Sequence, residues 1–412
     1  MVVVDWEAVD MVCSLEFWRM AVCWTLSLLY SHLYLLLAPR LSALFPSLLG
    51  PKPPRFPRRR FAPGPSSPIQ RPLCVVTGAS SGLGAAAARA LAAEGYHVIL
   101  AGRNPQTLFK TIQEIKKHNQ NACVDAFQVD ISSIHSIMKF ESSINQWLEE
   151  SNLHPSIQLL INNAGILAKS SRVTADGFDQ MMETNYLGAF FLTNIMLPLL
   201  KNSLVPSRIV NVTSFTHRSV SHVDANMGNL ARENLHCLST SGKYQFAQTY
   251  EYSKFCTLLF SYELHRQLYV MDPASNVSIM AADPGAVATN IMRELPPSLK
   301  RLAFLVLGFL QLLQSPEIGV DSIIDAALAP PEASGRYFFG ANGRTIKSSP
   351  VSYDARLAET LWLTSFKLFE ECKARVMPLK LHMPVELAAQ QYSGGSVKAI
   401  YSGAKISLSC VF

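Results

Sequence analysis

The run Leu73-Cys74-Val75-Val76-Thr77-Gly78-Ala79-Ser80-Ser81-Gly82-Leu83-Gly84 constrains the fold of this chain more than any other stretch. Strand-type apolar residues lead into a turn with glycines at 78, 82 and 84, and an alanine-rich helix, Ala85 to Glu94, follows at once. A strand that feeds a helix through glycines turns bare backbone N–H groups and a helix N-terminus toward whatever occupies the turn. A pyrophosphate is the natural occupant. The spacing G-x-x-x-G-x-G departs from the G-x-G-x-x-G dinucleotide pattern, so the turn alone also fits an ordinary strand-to-helix connection.

Strand-like runs at 73–77, 97–101, 124–129, 157–161, 208–213 and 276–281 alternate with helical stretches near 83–94, 105–118, 132–150, 176–201 and 250–270. Short, continuously apolar strands separated by helices predict an α/β fold with a parallel sheet covered on both faces. The expected organisation is one Rossmann-type, doubly wound domain over 72–373, followed by an irregular tail over 374–412 that shows no periodicity. The sequence contains no internal repeats.

Residues 1–50 differ in character. Between Arg19 and Arg40 lie twenty residues without an acidic or permanently basic side chain. As a helix they reach ~30 Å, about one bilayer core. Residues 20–39 are therefore expected to be a transmembrane anchor, with a targeting segment and a buried helix as the alternatives. Asp5, Glu7, Asp10 and Glu16 precede the segment, whereas Arg40, Lys52, Arg55, Arg58, Arg59, Arg60 and Arg71 follow it without an intervening acid. This asymmetry predicts a single-pass protein with its catalytic domain in the cytosol, most naturally at the endoplasmic reticulum.

The Pro-rich linker over 51–71 supplies most of the net charge of +6. Aromatic and basic residues do not alternate there, which excludes nucleic acid and leaves anionic lipid headgroups or plain solvent as its surroundings. The eight cysteines and the histidines at 217, 222 and 236 show no metal-ligand spacing, and no metal is expected. Sequons at Asn211 and Asn276 fall inside strand-like runs, where a glycan would obstruct folding. A second apolar run, 302–313 after Lys300 and Arg301, is too short to span a bilayer. It reads either as a buried helix or as a lipid-touching lip over an apolar substrate site.

Tyr250 and Lys254 stand four apart at the start of an apolar helix and so share a face. A neighbouring ammonium favours the phenolate and would draw the tyrosine pKa down from ~10, suiting it to proton exchange with a carbonyl or an alcohol. The strand 208–213 ends at the hydroxyl of Ser214, and Asn162-Asn163-Ala164-Gly165 closes the strand 157–161 at the sheet edge where ligands sit. Asn185 lies in a helical stretch that Asn disfavours.

With these pieces in this order, the chain resembles the short-chain dehydrogenase/reductase family over roughly 72–345, and most of all its retinol-dehydrogenase-like branch. The resemblance implies that Tyr250 is the general acid/base, that Lys254 lowers its pKa and holds the nicotinamide ribose, that Ser214 orients the substrate oxygen, and that Asn185 fixes a proton-relaying water. It further implies cofactor contacts at Thr77, Gly78, Ser80, Ser81, Gly82, Leu83, Gly84, Asn162, Asn163, Ala164 and Gly165. Toward the nicotinamide end it implies Pro284, Gly285 and Thr289. Asp130 matches the family's adenine-contacting position, or caps the helix that follows. Arg103, after the second strand, sits where an acid would select NAD(H), so NADP(H) is expected with NAD(H) left open. The alternative for Arg103 is a solvated loop cation.

The expected function is hydride transfer between NADP(H) and a carbonyl or alcohol of a hydrophobic retinoid-, steroid- or lipid-like molecule. Membrane lipids are expected to meet the N-terminal segment and 302–313, and a homodimer is compatible with the sequence. The competing reading is a catalytically silent nucleotide-binding scaffold. The long segment between Ser214 and Tyr250 departs from the family pattern and weakens any transfer of substrate from retinoid-type relatives.

Overall fold

The computed structural model describes residues 5–44, 53–61, 69–221, 244–272 and 275–376. Most of the segment between Ser214 and Tyr250, and nearly all of the tail, fall outside them. Two compact units are distinguished, Met1–Phe369 and Glu370–Phe412. All that follows concerns the first.

Two helices come first, Trp6–Val12 (α1) and Leu15–Leu44 (α2). The glycine turn separates Leu73–Thr77 (β1) from Gly82–Ala93 (α3), and the alternation continues with His97–Gly102 (β2), Pro105–His118 (α4), Val124–Gln128 (β3) and Ile134–Glu150 (α5). Then come Leu159–Asn162 (β4), Gly188–Lys201 (α6), Ser207–Val212 (β5), Phe246–Met271 (α7) and Val277–Asp283 (β6). Ala286–Val287 (β7) and Leu313–Gln314 (β8) form a small ribbon around Pro297–Phe309 (α8), and Tyr337–Phe339 (β9) closes the main sheet.

That sheet has seven parallel strands in the order β3-β2-β1-β4-β5-β6-β9. The order reverses between β1 and β4, which opens a crevice at the strands' C-terminal ends. Every residue of β1 is buried, as a strand covered on both faces requires. Cys74 and Val76 meet the alanines of α3 together with Val98, Leu100, Leu159, Ile161 and Val210 in one core. Small side chains let α3 approach closely: a Cβ at Gly84 would lie 2.3 Å from the Gly78 carbonyl oxygen.

The stretch expected to be one helix over 176–201 is three pieces. Asp179 caps a short turn by accepting the N–H groups of Met181 and Met182, Glu183–Leu187 winds as a π-helix, and α6 follows. A π-turn widens the helix by one residue and turns its side chains to new positions, which is common at functional sites. Gly188 lets this segment pass the β3–α5 connection, since a Cβ there would sit 2.0 Å from the Ile131 carbonyl oxygen.

Residues 53–61 are largely exposed, and two of their arginines pair with acids of the domain. Arg58 bonds Asp325 and Asp321, each at 2.6 Å, and Arg60 pairs with Glu94 at 2.8 Å. The backbone of this stretch joins the domain through Phe56 N–H to Gly343 O and Arg59 N–H to Leu328 O. The helix α2 does not stand apart as a detached span. Met20, Trp24, Leu28, Ser31 and Leu35 follow one another every three or four residues along one helix face. Of these, Met20, Leu28 and Ser31 are buried, and Leu28 packs with Phe215, Leu258, Tyr337 and Phe339. Burying such a leucine contributes about 2 kcal/mol. Trp18, Val22, Leu26, Leu33 and Leu37 line the opposite face and are exposed.

Candidate active site

Gly78 and Gly82 take φ of 65° and 54°, left-handed values that a side chain would resist. The cap residue Ser81 makes no side-chain bond to the helix start. The first amides of α3 are therefore open to an anion. A cleft of about 300 Å³ begins at Arg103 and Asp130, passes Ser80, Ser81, Gly82, Leu83 and Gly84, and continues along Asn163, Ala164 and Gly165. It ends at Ser214, Tyr250 and Lys254, with Pro284, Gly285 and Thr289 on the facing wall. Shape and donors fit a dinucleotide: an open helix N-terminus midway, a cation at one end and a proton-exchanging pair at the other.

Three expected residues do not line this cleft. Thr77 is buried, and its hydroxyl donates to Ile161 O while accepting the N–H groups of Asn163 and Ala164 at 2.9 and 3.0 Å. It braces the Asn-Ala-Gly loop. Asn162 donates to Thr193 of α6 and to Asn211 of β5, both at 2.8 Å. Asn185 accepts Ile166 N–H at 2.8 Å and donates to Ile166 O and to Ser253, each at 3.0 Å. Ser253 in turn donates to Tyr250 O at 2.8 Å, and Thr257 donates to Asn185 O. The π-turn thus clamps α7 at the turn that carries Tyr250. Asp130 lines the cleft, but its carboxylate already accepts the N–H and hydroxyl of Ser132, at 3.0 and 2.7 Å. Arg103 is exposed at the cleft's end and makes no ion pair among the described residues.

Tyr250 is buried with its hydroxyl beside that of Ser214, and both line the cleft. Burial, reinforced by the nearby Asp283 charge, pushes its pKa well above the ordinary value, and the Ser214 hydroxyl opposes this only in part. The sequence had suggested that Lys254 draws it down. Instead the ammonium donates to Val212 O at 3.0 Å and lies 5.8 Å from the Tyr250 ring centre, while burial lowers its own pKa to about 8.

Asp283 was not among the expected site residues. It ends β6 fully buried, accepting Tyr337 O–H at 2.5 Å and Gly285 N–H at 2.8 Å, and its charge raises the pKa of both Tyr250 and Lys254. An acid ending an otherwise apolar strand was the signal available. His217, read as a loop histidine, is also buried, with Nδ1 2.7 Å from Ser214 O and Nε2 accepting Ser349 N–H at 3.1 Å.

A second cavity, of about 430 Å³, adjoins the first, and Ser214, Tyr250 and Gly285 line both. Its other walls are apolar: Met20, Trp24 and Leu28 from α2, Phe215, Leu295, and Leu302 and Leu307 from α8. Of the two readings of 302–313, the buried helix is excluded, because Leu302, Leu305, Val306 and Phe309 are exposed.

A profile described as short chain dehydrogenase matches residues 73–224. Human polyprenol dehydrogenase is 34% identical over 301 residues, covering 72% of this chain and 84% of that protein. The chain belongs to the short-chain dehydrogenase family. Human retinol dehydrogenase 13 is similar too, 32% identical over 311 residues, covering 74% of this chain and 87% of that one. The crystal structure of an uncharacterized protein from Mycobacterium Paratuberculosis matches with a TM-score of 0.53 at 29% identity, covering 73% of this chain and 94% of that one. As a family member the protein is an oxidoreductase whose fold binds a nicotinamide dinucleotide and whose substrate is a small molecule.

Proposed function

We propose that this short-chain dehydrogenase is a membrane-associated enzyme that transfers hydride between NADP(H) and the carbonyl or alcohol group of a hydrophobic molecule. The observation that carries the reading is the shared wall. Tyr250 and Ser214 stand where a polar, dinucleotide-sized cleft meets an apolar cavity, so an oxygen on an apolar substrate can reach both hydroxyls. A bound nicotinamide supplies the hydride. At neutral pH Tyr250 carries its proton, the form that donates to a carbonyl oxygen during reduction. Ser214, beside the same hydroxyl, orients that oxygen, and Lys254 contributes a cation beneath the ring. Asn185 acts by positioning, through Ser253 and the backbone of Tyr250.

Arg103, with no acid between Ala101 and Asn104, supports NADP(H) over NAD(H). Retinol and polyprenol, named for two relatives, are long apolar alcohols, which suits the second cavity. Membrane association is supported by the exposed apolar faces of α2 and α8, whose combined patch is unsuited to water. Leu15–Leu44 is long and apolar enough to cross a bilayer, and we propose that it anchors the enzyme while one of its faces rests on the domain. The cytosolic side of the endoplasmic reticulum is the setting we assign: Cys13, Cys23, Cys74, Cys123 and Cys256 form no disulfide, and the Asn211 sequon is buried in β5.

Tyr250→Phe tests the proposal. Turnover of apolar aldehydes with NADPH should fall by about a thousandfold or more while nucleotide affinity changes by less than about twofold. Undiminished turnover in this variant overturns the assignment. Wild-type protein that binds nucleotide yet transfers no hydride to a broad lipid-carbonyl panel would favour the scaffold reading.

A further inference from the structure

Glu251 follows the tyrosine of the reacting pair and would be an odd choice on its own account, since its carboxylate is buried within the first turns of α7. Its charged partner comes from 232 residues earlier. Arg19 of α2 reaches it with both terminal nitrogens, at 3.1 and 3.2 Å, and the indole N–H of Trp24 donates to the same carboxylate at 2.6 Å. Charge-assisted, two-pronged bonds of this kind fix orientation as well as position.

The latch has a geometric result. It lays the Trp24 ring against the Tyr250 ring, with centroids 5.7 Å apart, and points the indole into the apolar cavity. Met20 and Leu28, one helical turn to either side, complete that wall. Across the cavity stands α8, with Leu302 and Leu307. Both helices carry apolar outward faces, and Trp24 stands on the cavity wall directly beside Tyr250.

We infer that α2 is a wall of the substrate site and that Trp24, seated by the Arg19–Glu251 pair, is a specificity-determining residue that selects long apolar substrates. The inference rests on the oxidoreductase reading of the cleft. It goes beyond that reading by assigning a substrate-site role to a segment that its hydropathy alone marks as an anchor. Arg19 and Glu251 are positioning residues, acting through Trp24.

The test uses full-length protein in lipid nanodiscs and two aldehydes with the same reacting group, farnesal and the much shorter prenal. For Trp24→Ala, kcat/KM for farnesal should fall about tenfold or more, mostly through KM, while that for prenal changes less than about threefold. Trp24→Phe keeps a ring against Tyr250 and should restore most of the preference. NADPH affinity, read by fluorescence titration, should be unaltered in both variants. An equal loss for both aldehydes, or an unchanged ratio, overturns the inference. A diazirine analogue of farnesol gives a readout that needs no turnover. Labelling on α2 of the wild type, reduced in Trp24→Ala, supports the wall even if no hydride transfer is seen, in which case it is the oxidoreductase reading that fails. Turnover without any label on α2 sinks the wall alone.

Discussion

His217 makes this enzyme sensitive to acid by an amount that can be worked out. The ring is buried and Nδ1–H donates to Ser214 O, a bond that favours the charged ring, while Nε2 accepts the N–H of Ser349 and so holds the neutral form. Burial, with the Arg218 charge beside it, lowers its pKa to about 3. An unfolded chain binds this proton near pH ~6.5. Because the folded pKa is depressed, the stabilisation is complete above the unfolded value and is lost as pH falls toward the folded one. Between pH 7.5 and 5.5 the unfolded state gains nearly a full proton here and the folded state gains none, which removes about 1.3 kcal/mol. His217→Gln keeps a donor toward Ser214 and an acceptor toward Ser349 but does not titrate. Thermal melting of both proteins at the two pH values should show the wild type losing about 2–3 °C more than the variant. His265, also lowered by burial, cancels in this comparison because both proteins contain it. Equal losses would refute the reasoning.

Other expectations are as specific. Replacing Arg103 by Asp should move the kcat/KM preference from NADPH toward NADH by about tenfold or more, and an unmoved ratio would mean that the exposed cation does not meet the nucleotide. Burial, assisted by Asp176 and Asp130, pushes the Glu183 carboxyl up to about 9. With its folded pKa raised, the wild type should lose stability relative to Glu183→Gln as pH climbs from ~4.5 toward 9, and melting curves at pH 6 and 8.5 read the widening gap. Gly188→Ala would set a Cβ 2.0 Å from the Ile131 carbonyl oxygen and should cost about 1–3 kcal/mol in chemical denaturation.

The sheet was legible because it is written in local signals. The four apolar residues from Leu73, the glycines after them, and Pro105 at the start of α4 each state their structure within a few positions. What escaped depends on distant partners. The strand Tyr337–Phe339 is three residues long, too short for any period, and exists because β6 offers an edge. The π-turn around Asn185 leaves no mark except a poor helix former, since its geometry is set by bonds to Ile166 and Ser253. Thr77 and Asn162 have the side chains of ligand contacts but spend them inside the scaffold. Hydropathy marks α2 as apolar without telling a bilayer from a protein face; that difference lies in Glu251.

The ion pairs of Arg58 and Arg60 have a consequence for the N-terminal helix. With the backbone bonds at Pro54 and Phe56 they fix the chain to the domain from Pro54 onward, and α2 ends at Leu44, ten residues before it. Ten residues extend ~35 Å at most. The Leu44 end of a released helix therefore stays within that distance of Pro54, at an effective concentration on the order of millimolar. Seating α2 is an intramolecular equilibrium, indifferent to how dilute the enzyme is. A membrane that competes for the helix's inner face has to outbid a partner that never diffuses away.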